Sequence, residues 1–175
     1  MPLTSQFAAH IIAAQTGTAP APDLGSGAAA KATLNITKNI ELATGTGAGQ
    51  ADLLFSDQRT LAASANEDLD LAGVLADALG ATLTFARVKG LYVAAAAGNT
   101  NNVVVGDAAT NTWAALLGTD GTVALRPGAF LLVAVGAADA TGYAVTAGTG
   151  DLLRVANSGG GTTVTYDIVV VGASA

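Results

Sequence analysis

From residue 51 onward, short β-type runs alternate with clusters of strong turn formers, and this punctuation narrows the fold more than any other feature of the chain. The runs are Leu53 to Ala63, Leu69 to Leu71, Thr82 to Ala95, Asn102 to Val105, Thr122 to Leu125, Phe130 to Val135, Gly142 to Thr146, Leu152 to Ala156 and Thr163 to Val171. Between them stand Ala97-Gly-Asn-Thr-Asn-Asn102, Thr119-Asp-Gly-Thr122, Arg126-Pro-Gly128, Ala147-Gly-Thr-Gly150 and Asn157-Ser-Gly-Gly-Gly161. Gly, Asn and Asp at such points supply the turn conformations that end a strand. The last run has the clearest alternation, with Val164, Tyr166, Ile168 and Val170 on one face and Thr163, Thr165 and Asp167 on the other. About nine strands at this spacing predict an all-β fold, an antiparallel β-sandwich of jelly-roll type over residues 51–175. One helical turn is expected at Val74 to Leu79, closed by Gly80.

Residues 1–50 read differently, as an extended N-terminal arm. Thr4-Ser5-Gln6 ahead of Phe7, Ile11 and Ile12 suggests a short capped helix with one apolar face. Thr16 to Ala30 holds two of the four prolines and several glycines, a linker composition. Thr33 to Leu42 then alternates, with Leu34, Ile36, Ile40 and Leu42 on one side interrupted only by Lys38, and this predicts one strand with a face to cover. Phe7, Ile11, Ile12, Leu34, Ile36, Ile40 and Leu42 are therefore the candidate partner-binding residues.

Residues able to do chemistry are scarce. The 175-residue chain has one histidine, no cysteine and 11% charged residues, against 51% hydrophobic and 22 glycines. Catalysis near neutral pH draws most often on His or Cys held by a second polar group. The composition points away from an enzyme and toward contact, with no catalytic residue, cofactor or metal expected. Aromatics are only 5% of the chain, so a core of small and β-branched side chains buries little area per residue, and oligomerisation would add stability. Net charge is −6 and uneven. The first fifty residues carry two lysines against two acids, and the rest five cations against eleven acids, so the excess lies wholly after residue 50. Such an acidic body would be repelled by phosphate, which argues against direct nucleic-acid binding. No apolar run approaches the roughly 18 to 20 residues of a membrane helix, and no Lys or Arg precedes Lys31 to form the n-region of a secretory signal. A soluble protein made in the cytoplasm is the expectation.

Several motifs admit a sharper and a blander reading. Gly45-Thr-Gly-Ala-Gly49 has the glycines of a phosphate loop but lacks the Gly-Lys-Ser/Thr that should follow, so linker is preferred. Glu67-Asp68-Leu69-Asp70 could offer oxygens to a hard cation, but it lacks an EF-hand spacing and fits a strand edge or loop better. Asn35-Ile-Thr37 matches a glycosylation sequon by chance if no secretion occurs. His10 is placed on the arm at a contact surface. Arg87 and Lys89 interrupt the apolar side shared by Leu83, Phe85, Leu91 and Val93; either a bulge resets the register, the favoured reading, or both cations reach an acidic neighbour at an interface.

Asp52-Leu-Leu-Phe-Ser-Asp57, Leu69-Asp-Leu71, Leu79-Gly-Ala-Thr-Leu-Thr-Phe85, Val88-Lys-Gly-Leu-Tyr-Val93, Gly98-Asn99, Val105-Gly106, Arg126-Pro-Gly128 and Tyr166-Asp-Ile-Val-Val-Val-Gly172 together resemble small virion proteins of tailed bacteriophages. The resemblance covers residues 51–175 and rests on strand-and-turn phrasing. It implies a head-decoration (cement) protein on the outer head surface of the virion, in contact with the major capsid protein and acting as a homo-oligomer, with a trimer favoured. The arm would serve as a strap that adds a strand to a neighbouring sheet. The alternative is a tail or fibre adhesin whose loops around Trp113 or Tyr143 touch host glycans. A hydrolase with a carboxylate pair is the third and weakest reading.

Overall fold

A computed structural model describes residues 2–18 and 29–175. The chain divides into two compact units, one of residues Met1–Ser5 with Glu41–Ala175 and the other of Gln6–Ile40. Strands are β1 (Ser5–Thr18), β2 (Ala29–Thr44), β3 (Gln50–Ala51), β4 (Leu53–Leu61), β5 (Asn66–Asp70), β6 (Arg87–Ala95), β7 (Val103–Gly106), β8 (Thr122–Leu125), β9 (Phe130–Ala134), β10 (Tyr143–Ala144), β11 (Leu152–Asn157) and β12 (Val164–Ala173). A single short helix, α1, spans Ala114–Leu117 among the described residues.

The larger unit is the antiparallel β-sandwich that the punctuation predicts. One sheet runs β4-β12-β6, and the far side of β6 is shared by β9 and β10; the other runs β5-β11-β7-β8. The pairings nest: β7 with β8 innermost, then β6 with β9, β5 with β11, and β4 with β12 outermost. Each strand contributes alternate residues to the shared core. Val164, Tyr166, Ile168 and Val170 of β12 and Leu91 and Val93 of β6 meet Val103 and Val105 of β7, Leu153 and Val155 of β11 and Leu69 of β5, all buried. The register of β12 on β4 places Val164, Tyr166, Ile168 and Val170 opposite Leu61, Arg59, Asp57 and Phe55.

The parity conflict at Arg87 and Lys89 is resolved by a bulge. Val171 faces Gly90 while Gly172 faces Val88, so Lys89 is the extra residue of β6. Lys89 is fully buried, and its Nζ donates to the Asp139 carbonyl at 2.8 Å. Arg87 donates to the next carbonyl, Ala140, at 2.7 Å. Both cations therefore reach backbone oxygens of one loop of this chain. The loop is held by the Asp139 carboxylate, which accepts from the Thr141 and Gly142 amides and the Thr141 hydroxyl. Those bonds, the Thr141 hydroxyl first, hold the Asp139 carboxyl below its usual range, while burial pushes the Lys89 ammonium down.

Two local expectations are corrected. The helical turn at Val74 to Leu79 is absent: Ala76 and Thr82 form an isolated antiparallel bridge around a turn in which the Asp77 carboxylate accepts from the Leu79 and Ala81 amides. An aspartate that binds nearby amides competes with helix formation. The short helix at Phe7 to Ile12 is instead the first half of β1. Phe7, Ile11 and Ile12 fit a helical face, but β-branched Ile11, Ile12, Thr16 and Thr18 favour a strand once β2 is beside them to complete the ladder. The Pro- and Gly-rich stretch between 16 and 30 lies mostly outside the described residues.

Candidate functional site

The smaller unit is a two-stranded antiparallel ribbon made of most of β1 and β2. His10 Nε2 lies 2.8 Å from Asn35 Oδ1, which puts these two side chains on one face of the ribbon. Alternation then sorts the rest: His10 and Ile12 share that face with Thr33, Asn35 and Thr37, while Phe7, Ile11, Leu34, Ile36, Lys38 and Ile40 share the opposite one. The opposite face is apolar and largely bare, with Ile11 56%, Leu34 48% and Ile36 50% exposed. Phe7 and Ile40, on the same face, are half-buried. Ile12, 69% exposed, falls on the polar face. Leu42 departs from the group: it belongs to the larger unit and is buried there. At that point Thr44 Oγ1 accepts from the Leu3 amide and donates to the Leu3 carbonyl, and β2 pairs in parallel with β3. Five of the seven candidate residues thus share one surface, and the structure places the other two elsewhere.

The acidic cluster is engaged internally. Asp68 stands opposite Arg154 in the β5–β11 ladder and takes two bonds from its guanidinium, at 2.8 and 3.0 Å. Asp70 accepts from the Ala72 amide at 2.8 Å. Glu67 bridges the two sheets, with Oε2 2.5 Å from Arg59 Nη1 and Oε1 accepting from the Tyr166 hydroxyl at 2.7 Å. Arg59 also pairs with Asp57 at 3.0 Å. Burial, followed by the bond to Glu67, holds the Tyr166 phenol far above its ordinary value. For Arg59, burial works downward, but the bond to Glu67 and the nearby negative charges outweigh it and raise the pKa. The bond to Asp68 raises that of Arg154. The Glu67 contacts are a cross-link between sheets, and each of the three carboxylates has a protein partner. No group of three or more His, Asp or Glu arranged to hold a metal ion occurs among the described residues.

Trp113 is not available as a platform for a sugar. It is buried, its indole N–H donates to the Ala144 carbonyl at 2.8 Å, and its ring meets Tyr143 edge-on at 6.3 Å. The side chain expected on a recognition loop is a core residue. Gly148 to Gly150 forms the expected turn, bridged by Thr146 and Gly150, with Asp151 accepting from the Gly148 amide.

Two surface features escaped the sequence reading. A cavity of about 410 Å³ lies between Leu3, Leu53, Leu54, Leu79 and Leu83. The carboxylates at its rim, Asp52 and Asp77, are taken up by Ser174 and by the Leu79 and Ala81 amides, so it is an apolar recess without a free acid or base. On the outer face of the β6 sheet, Phe130 is 63% exposed and packs at 6.0 Å between ring centres against half-buried Tyr92. No helix among the described residues is long and apolar enough to cross a membrane. Comparisons with protein-family models, curated proteins and solved structures find no match.

Proposed function

We propose that this protein decorates an assembled phage head, binding its outer surface through the apolar face of the β1–β2 ribbon. The observation that carries this reading is the bare face formed by Ile11, Leu34 and Ile36. A two-stranded ribbon is at best marginally stable in water, and apolar side chains on it gain when another surface covers them. Strand β1, at the end of the β1-β2-β3 order, offers main-chain hydrogen bonds to a sheet on that surface, and alternate side chains set the register. Repetition of the contact over a symmetric lattice makes weak individual contacts cumulative.

The body supports the same role. Its nested strand pairing favours a jelly-roll winding, the architecture expected of such a part. The clustered carboxylates Glu67, Asp68 and Asp70 are engaged within the fold, which favours a structural part. The competing adhesin is less favoured because Trp113, one of the two aromatics it relied on, is buried. Imaging of the native virion tests the proposal: copies spread over the head lattice, with density for the ribbon against the major capsid protein, support it. Copies confined to the tail tip would establish the adhesin instead.

A further inference from the structure

The exposed edge of β9 is built for a copy of itself, and we infer that two molecules join there, antiparallel about a two-fold axis at Leu132, continuing the β6 sheet from one molecule into the next. The backbone sets the geometry. The Val135 amide donates to the Lys89 carbonyl and the Ala95 amide to the Ala129 carbonyl, in register with the β6–β9 ladder. In an antiparallel pair, bonded positions alternate. Leu131 and Val133 therefore bond to β6, whereas the amides and carbonyls of Phe130, Leu132 and Ala134 point to the open edge, with no backbone partner there among the described residues.

The edge is also unlike the other edges of the sandwich. Native sheets guard their edges with charge, proline, bulges or brevity. Strand β5 carries Glu67, Asp68 and Asp70, β4 carries Asp57 and Arg59, and β8 has four residues. Strand β9, Phe-Leu-Leu-Val-Ala, has neither charge nor proline. Its sequence is self-complementary about the centre: Leu132 would face Leu132 of the second copy, and large Phe130 would face small Ala134. A closed two-fold contact of this kind uses one patch on both partners and leaves no open chain of association. It gives pairs where the virion resemblance implies trimers, and it stands whether or not the head-decoration reading holds.

Because the chain has no cysteine, one introduced thiol reports the register directly. Facing residues of a bonded antiparallel pair have Cα atoms about 5.5 Å apart, within the range a disulfide spans. In the full-length protein, Leu132→Cys should oxidise to a covalent dimer in high yield, whereas Ala134→Cys, which faces Phe130, should cross-link at least tenfold more slowly. The unmodified protein should sediment as a dimer. Leu132→Pro removes an amide that points to the edge and spares the bonds to β6, so it should give a folded monomer with an unchanged circular dichroism spectrum; if it unfolds, the cysteine pair decides. A wild-type monomer or trimer, equal cross-linking at both positions, or none at Leu132→Cys overturns the inference.

Discussion

The sandwich and the ribbon are made of the same element, antiparallel strand with alternating side chains, yet they treat it in opposite ways. In β12 the apolar alternates Val164, Tyr166, Ile168 and Val170 are buried against a second sheet. In the ribbon, Ile11, Leu34 and Ile36 stand in the same alternation and about half their surface faces water. What differs is the presence of a second layer. The polar groups divide likewise: in the sandwich Glu67 ties Arg59 and Tyr166 together between sheets, whereas His10 and Asn35 bond at the exposed surface of the ribbon. One region carries its own second layer, and the other has none over its apolar face.

That contrast can be broken by mutation. The largest stability effect is expected in the core, where Ile168→Ala should cost about 2–5 kcal/mol in denaturant unfolding, while Ile36→Ala should stay within about 0.5 kcal/mol. Equal costs would mean that the ribbon is already covered. Next comes Gly172→Ala. A β-carbon there would run into the Arg87 carbonyl and the Phe85 ring beside the bulge, and a loss of about 1–3 kcal/mol should follow.

Tyr166→Phe should cost about 1 kcal/mol at neutral pH, because it removes one bond to Glu67 and leaves the Arg59 pair. Its effect on pH dependence is more specific. The folded state holds the phenolic proton well above the ordinary value of 10.0. Above pH ~10 the unfolded chain releases that proton and the folded chain keeps it, so stability falls as pH rises, by up to about 1.4 kcal/mol per unit. Unfolding midpoints measured from pH 9 to 11 should drop in the parent and drop less in Tyr166→Phe. A parallel decline in both would remove Tyr166 as the cause. The smallest effect on stability is expected from His10→Ala, which breaks one exposed contact and should leave the melting midpoint unchanged to within about 0.5 kcal/mol.

Much of the sandwich was legible in the sequence because half-buried strands write their burial as alternation. The runs at Leu152 to Ala156 and Thr163 to Val171 recur as β11 and β12 with little change. The bulge was legible too, since two cations on an apolar parity demand either a register change or a partner. Phe7, Ile11 and Ile12 misled because their spacing fits both periods, and the strand that decides between them lies further along the sequence, beyond its Pro- and Gly-rich stretch. The partners of the acidic cluster were hidden by distance along the chain: Glu67 meets Tyr166 99 residues away, and Asp68 meets Arg154 86 residues away. Trp113 looked like a loop aromatic because only the fold reveals that its N–H reaches Ala144.

The central claim is that recognition resides in the ribbon and stability in the sandwich. Replacing residues 6–40 with a short Gly-Ser turn, between ends already held together by Leu3 and Thr44, tests both halves at once. Co-sedimentation with assembled phage heads should be lost while the unfolding midpoint of the remaining body stays within about 1 kcal/mol of the parent. Retained head binding, or collapse of the body without its ribbon, would contradict it.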